Sequence, residues 1–505
     1  MVKRIIVAVD GTWVNSDNGY VESDPSKPCL ATPSNVTRLC RALEARSSDG
    51  IEQIVYYQGG LGTAGNWYSY NIGGYLGSGI DEAMRQAYGF ICNNYEDGDE
   101  ITLIGFSRGA FTARSVGGLL SSVGVLTKMG MDSFYPIFKD WENQNNKDYK
   151  SSYSTPDWTI QGRPKTFENG AYMKALAAAG LTRANVPVKA VAVFDTVGSL
   201  GIPDLHLAGF KLYTGSKSEY SFVNTQVAPN VEHAYQALAL DERRGAFSPT
   251  VWESPRSNTD KHILKELKQT WFSGVHTSIG GGYKDTSIAD ITLAWMMEQL
   301  SKHLEFYRPY LGYQITQNQK FYEDKNTPQK GRGWGLGLIQ DNSTGFLNMI
   351  QGTASRTPGE YHLTDPDTGN DLPERLRNTC EFIHPSVRYR MDKGTSLTTS
   401  ADQKVGQHDY RSQALSSANW EYFAPGQEVV GAQIDPKWAK AAKWVKKDTK
   451  TYIVEDKINA EGYERILTDS WEGVNTFIGL RELLDGAGHH TSASGIFHPP
   501  TRTFT

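Results

Sequence analysis

Up to about residue 305, short aliphatic runs alternate with stretches of helical period. Arg4–Val9 ("RIIVAV") shows no alternation of apolar and polar residues. That pattern predicts a strand buried on both faces. Ile51–Tyr57, Ile101–Phe106, Val188–Phe194 and Lys268–Phe272 read as further strands. Helical spacing predicts helices over Pro33–Arg46, with Thr32 or Ser34 as cap, near Ile80–Tyr95, from about Arg108, and over about Ile288–His303. The segment "VEHAYQAL" around His233 also reads as helical. Strands alternating with helices predict an α/β fold, a mostly parallel sheet with helices on both faces. Right-handed crossovers then bring every strand's C-terminal end to one rim, where a site is expected.

Beyond about Tyr307 the texture changes, and Asn, Gln, Gly and Lys become frequent. The reading divides the chain into residues 1–305, a sheet-bearing domain, and residues 306–505. The second part is expected to be an additional region, partly helical, acting as a lid or selecting the substrate. No internal repeat is visible.

Composition narrows the function classes. Of 505 residues 39% are hydrophobic and 21% charged, as in globular proteins. The net charge of -5, with no basic block, argues against nucleic acid as partner. The densest cationic stretch, Lys440–Lys450, reads as a solvated helix face, compatible with transient contact with a membrane surface. No apolar run reaches the roughly 18 residues of a membrane span. No secretory signal is recognisable, and Cys29, Cys40, Cys92 and Cys380 lack metal-site spacing, so a cytoplasmic protein with reduced thiols is expected. Oligomeric state leaves no trace in the pattern.

Candidate chemistry centres on "ITLIGFSRGAFTAR". Gly105-Phe106-Ser107-Arg108-Gly109 is a G-x-S-x-G pattern between a strand and a helix. In a nucleophile elbow the serine sits in a strained turn, and Gly105 and Gly109 are needed because strand and helix pass too close for side chains. The helix N-terminus beside the serine favours developing negative charge. A serine needs a base, and a histidine base needs a carboxylate to hold its tautomer, in the chain order serine, acid, histidine. Asp195, ending "VKAVAVFD", and His276, in "WFSGVHTSIGGGY", fit that order at strand ends. Asp204, Asp241 and Asp285 are rival acids, and His233 and His384 rival bases. The "DGTW" after the first strand lies on the same rim. The N–H of Gly11 or Thr12, with that of Arg108, is a candidate oxyanion hole, with Asp10 pinning the loop. Trp13, Trp67, Tyr68 and Tyr70 are candidates for an apolar acyl pocket. This chemistry calls for no metal and no organic cofactor.

The blocks "DGTW", "YYQGGLGT", "GFSRGAFTAR", "VFDTVGSLG", "HAYQALALDERRGAFSPTVW" and "WFSGVHTSIGGGYKDTSIADITLAWM" occur in that order. Together they resemble the α/β-hydrolase family, long labelled a domain of unknown function, that includes type VI secretion phospholipase effectors. The resemblance spans roughly Arg4 to His303. It implies a Ser-Asp-His triad of Ser107, Asp195 and His276 and an ester substrate, lipid or phospholipid foremost. "HTSIGGGY" departs from the bacterial members, which commonly carry an acidic residue between the histidine and the glycines.

Other classes fit less well. An aspartyl-phosphate phosphotransferase would need an aspartate where Ala8 stands, and no G-x-x-x-x-G-K-[ST] loop occurs. The alternatives are an esterase or thioesterase acting on a small soluble acyl substrate, and an inactive hydrolase fold serving as a binding module.

Overall fold

The computed structural model describes residues 2–11, 29–60, 75–144, 170–197, 226–255, 262–323, 334–340, 353–364, 371–393, 395–399 and 405–474, with a few isolated positions between them. The aliphatic run at the N-terminus forms strand β1 (Lys3–Val9), flanked by β2 (Glu52–Gln58) and β3 (Glu100–Phe106). Ile5, Val7 and Val9 point into one apolar layer, and Ile6 and Ala8 into the other. A strand that faces protein on both sides has no polar alternation to show. Strands β4 (Val188–Phe194), β5 (Val231–Ala239), β6 (Glu266–Phe272), β7 (Glu381–Ile383), β8 (Trp420–Phe423), β9 (Lys443–Lys446) and β10 (Tyr452–Glu455) complete a ten-stranded sheet. Its order is β8-β9-β10-β7-β6-β5-β4-β3-β1-β2, and every pairing is parallel except the two made by β9.

Helices cover both faces. Helices α1 (Asn35–Ala42), α2 (Tyr75–Asn94), α3 (Arg108–Val123), α4 (Phe134–Glu142), α5 (Ala171–Ala178), α6 (His276–Gly280), α7 (Ser287–Leu300), α8 (Pro309–Glu323) and α9 (Tyr463–Val474) are the main ones. One layer packs α2 to α5 on the sheet through residues such as Met84, Val116, Phe138 and Leu176. The other packs α1 and α6 to α9 through Leu39, Ile279, Trp295, Leu311 and Leu467. Ser34 caps α1 as read, its side chain accepting from Thr37 N.

Two readings need correcting. The segment around His233 is strand β5, not a helix. Its Ala, Gln and Leu residues favour helix, but the position between β4 and β6 buries both faces and overrides that preference. The Lys440–Lys450 stretch is no helix face either. Its centre is strand β9, with Lys443, Trp444 and Val445 buried, while Lys440 and residues 447–450 are exposed. Charged flanks around a short buried core mimic a polar helix in a sliding window. Residues beyond 305 thus add four strands, and the sheet runs on across that position. Among the described residues no helix is long and apolar enough to cross a membrane.

Helices α1 and α7 are tied by a wholly buried ion pair between Arg38 and Asp290. Arg38 also donates to Asn35 Oδ1 at 2.8 Å and Gln314 Oε1 at 3.0 Å. Arg38→Leu is expected to lower the unfolding free energy by about 3–5 kcal/mol, because it strands a buried carboxylate. Urea denaturation checks this, and adding Asp290→Asn should restore part of the loss.

Candidate active site

Four of the parallel strands end on one rim, and each hands a polar residue to it: Asp10 after β1, Ser107 after β3, Asp195 after β4 and His276 in the turn after β6. Ser107 has φ 57° and ψ -122°, a conformation that L-residues rarely adopt, and its N–H donates to Phe194 O at 3.0 Å. The turn is possible because its neighbours lack side chains. A Cβ on Gly105 would lie 2.5 Å from Gly109 O, and one on Gly109 would collide with the carbonyl oxygens of Val9 and Asp10. Helix α3 therefore starts directly against β1 and β3, as the G-x-S-x-G spacing requires.

Ser107, His276 and Asp195 form one hydrogen-bonded chain. The Ser107 hydroxyl donates to His276 Nε2 at 2.8 Å, and His276 Nδ1 donates to Asp195 Oδ2 at 2.6 Å. All three are buried. The carboxylate sets the tautomer, with the proton on Nδ1 and the lone pair of Nε2 facing the serine. Asp195 also has positive φ, 38°; its N–H donates to Ala237 O at 2.7 Å and its Oδ1 accepts from Ala239 N at 3.0 Å. The imidazole is held between Phe106, 4.7 Å between ring centres, and Phe247, 4.9 Å and edge-on. Such a chain can draw a proton from a serine hydroxyl while it attacks an electrophilic carbon.

The model of one family, described as T6SS, Phospholipase effector Tle1-like, catalytic domain, matches residues 3–299. The chain belongs to this family. It is also 29% identical over 262 residues to the uncharacterized protein YEL023C of Saccharomyces cerevisiae. That similarity covers 48% of this chain and 32% of the yeast protein, so the chain spans about a third of that relative's length. Among solved structures it is similar to an uncharacterized protein from Pseudomonas aeruginosa, at 15% identity and a TM-score of 0.31, over 65% of this chain and 52% of that one. So loose a superposition bears on neither fold nor chemistry.

Among the described residues of the Tle1-like domain, the rival candidates Asp241, Asp285 and His233 are engaged elsewhere. Asp241 accepts from Gly274 N at 2.7 Å and from the Tyr410 hydroxyl at 2.8 Å, bracing the turn that carries His276. Asp285 caps its own turn through Ser287, and His233 lies on β5. His384, beyond the domain, is bound to Glu464 Oε1 at 2.7 Å. Thr12, Trp13, Trp67, Tyr68, Tyr70 and Asp204 lie outside the described residues. Asp10 does pin its loop: one oxygen accepts from Ser34, Tyr57 and Thr37, the other from Gly11 N at 2.7 Å. Burial pushes its carboxyl above the ordinary range despite these bonds. The Gly11 N–H is thereby turned to Asp10.

Two contacts were not legible in the sequence. Glu242, within the "DERRGAF" block, accepts from His276 N at 3.1 Å and from both Nε and Nη2 of Arg244, at 2.8 and 2.9 Å. Arg356, beyond the matched segment, donates through Nη2 to Asp195 Oδ2 at 2.9 Å. Burial pushes the Asp195 carboxyl up, but the Arg356 charge and the His276 hydrogen bond outweigh it, and the net position is below the usual carboxylate range.

Gly109→Ala is expected to destabilise the protein by about 1–3 kcal/mol or more through overpacking, visible as a lower melting temperature. Asp195 generates a pH dependence. Its folded pKa is depressed, so its stabilisation is present above the unfolded carboxyl value of about 3.9 and lost as pH falls through the lower folded value. The stability gap between native protein and Asp195→Asn should stay level near neutral pH and narrow below about pH 4 in denaturant titrations.

Proposed function

We propose that this chain is a serine hydrolase that cleaves carboxylic esters, the acyl esters of phospholipids foremost. The observation that carries the reading is the continuous hydrogen-bonded chain Ser107–His276–Asp195 at a glycine-flanked turn with positive φ on the serine. The family's description as a phospholipase effector supports the substrate class.

In the proposed reaction His276 Nε2 takes the Ser107 proton as Oγ attacks the ester carbonyl. Asp195 keeps the ring oriented and stabilises the imidazolium. The N–H of Arg108, in the first turn of α3 where backbone donors lack intrahelical acceptors, holds one side of the oxyanion. The loop after β1 is proposed to supply the second donor, from Gly11 or Thr12. The Gly11 N–H is already bonded to Asp10, so a donor role for it would require that bond to be exchanged. His276 then protonates the leaving alcohol, and water enters to release the acyl group with His276 as base. Trp13, Trp67 and Tyr68 are proposed to line the acyl pocket, and residues 306–505 to help select the substrate.

A fluorophosphonate probe and phospholipid vesicles test this together. Native protein is expected to be labelled and to release free fatty acid. Ser107→Ala should do neither, and His276→Ala should hydrolyse at least about 10³-fold more slowly while keeping its fold. Unlabelled native protein would favour a binding module, and hydrolysis of short p-nitrophenyl esters but no phospholipid would favour a soluble-ester enzyme.

A further inference from the structure

Arg356 lies beyond the segment that defines the family, yet its guanidinium shares a carboxylate oxygen with His276. We propose that Arg356 is a positioning residue that locks the Asp195 carboxylate and, through it, the orientation of the His276 ring, so that full turnover depends on this C-terminal arginine. The inference rests on the hydrolase reading of Ser107, Asp195 and His276.

Three donors meet at Asp195. His276 Nδ1 and Arg356 Nη2 both reach Oδ2, at 2.6 and 2.9 Å, and Ala239 N reaches Oδ1 at 3.0 Å. Asp195 is 0% exposed, and Arg356 and His276 are 4% exposed each, so water screens none of these charges. Among the described residues, Arg356 Nη1 has no hydrogen-bond partner. A guanidinium this deep, with one donor unsatisfied, is held by its contact with the carboxylate.

The backbone around Arg356 is strapped to the same turn that holds the histidine. Thr353 bridges Arg244, and Ala354 N donates to Arg243 O at 2.9 Å. The adjoining Glu242 accepts from His276 N at 3.1 Å. Further along, Gly359 N donates to Glu381 Oε2 at 2.9 Å, which ties the strap to β7. The strap thus braces the carboxylate by its side chain and the imidazole through the Glu242 turn.

The electrostatic consequence follows from what faces the pair. The charged and titratable groups around it are Arg356 and Tyr361 from the strap, Glu242 and Arg244 from the turn after β5, Asp241 with Tyr410 behind the histidine turn, Tyr283 after α6, and Ser107. Glu242 pairs with Arg244, and among the described residues Arg356 is the arginine in direct contact with Asp195. A guanidinium does not release its proton, so the Asp195 carboxylate keeps this partner at every working pH.

The test uses the full chain with Arg356→Gln and Arg356→Lys beside Ser107→Ala, measuring fluorophosphonate labelling and p-nitrophenyl ester turnover from about pH 5 to pH 9. Arg356→Gln is expected to fold and to react with the probe more slowly than native protein. Its kcat should fall about tenfold while KM stays within about twofold. Arg356→Lys, which keeps a point charge for a contact made by a single nitrogen, should recover most of the lost kcat. A native kcat in Arg356→Gln, or no recovery of kcat in Arg356→Lys, overturns the proposal. If Arg356→Gln fails to fold, the double variant with Asp195→Asn must fold, since no buried carboxylate is left unpaired; an unfolded double variant makes Arg356 a packing residue and overturns the proposal equally. Failure of the underlying reading looks different: native protein is then unlabelled, or Ser107→Ala is labelled like it.

Discussion

A carboxylate with no exposed surface is among the least tolerable groups in a folded protein, and Asp195 is one. It is tolerated because both oxygens are filled by donors from separate parts of the chain: the imidazole after β6, the backbone at the end of β5, and the arginine of the C-terminal strap. Each donor must arrive at hydrogen-bonding distance, so the rim cannot relax at one point without exposing an unpaired charge at another. The strained φ values of Ser107 and Asp195 persist in that setting.

The sheet is what makes such convergence achievable. Parallel strands linked by right-handed crossovers place their C-terminal ends side by side, so residues far apart in the chain become neighbours with no dedicated contact between their segments. Asp195 and His276 are 81 positions apart, and Ser107 and His276 169. The Tle1-like match ends at residue 299, but β7 to β10 extend the same sheet past that point. Trp271 on β6 packs in one apolar cluster with Ile383, Trp420, Trp444 and Ile453. The C-terminal residues are therefore continuous with the scaffold that carries the site, and the strap bearing Arg356 is anchored to both.

The serine turn was legible because its constraint is local. Two glycines four positions apart, a preceding apolar run and a following helix are all contained in one short stretch, and close approach of strand to helix forbids a Cβ at either glycine. Asp195 and His276 were legible as strand-end residues in a required order, though strand ends also carry ordinary turn aspartates. The His233 segment misled because side-chain propensity favours a helix, while burial between two strands is a property of neighbours the segment itself does not reveal.

By itself, the amino-acid sequence determined the α/β class, the buried parallel strands β1 to β4 and β6, the glycine-flanked turn at Ser107 and the candidates that face it. These follow from patterns among residues adjacent in the chain, where steric and hydrophobic requirements act directly. Only the tertiary structure decided that the region beyond residue 305 prolongs the sheet, that Glu242 holds the histidine turn, and that Arg356 reaches Asp195 across 161 positions. A salt bridge between distant residues leaves no period and no spacing to read, because an arginine in a loop looks the same whether it faces water or a buried carboxylate.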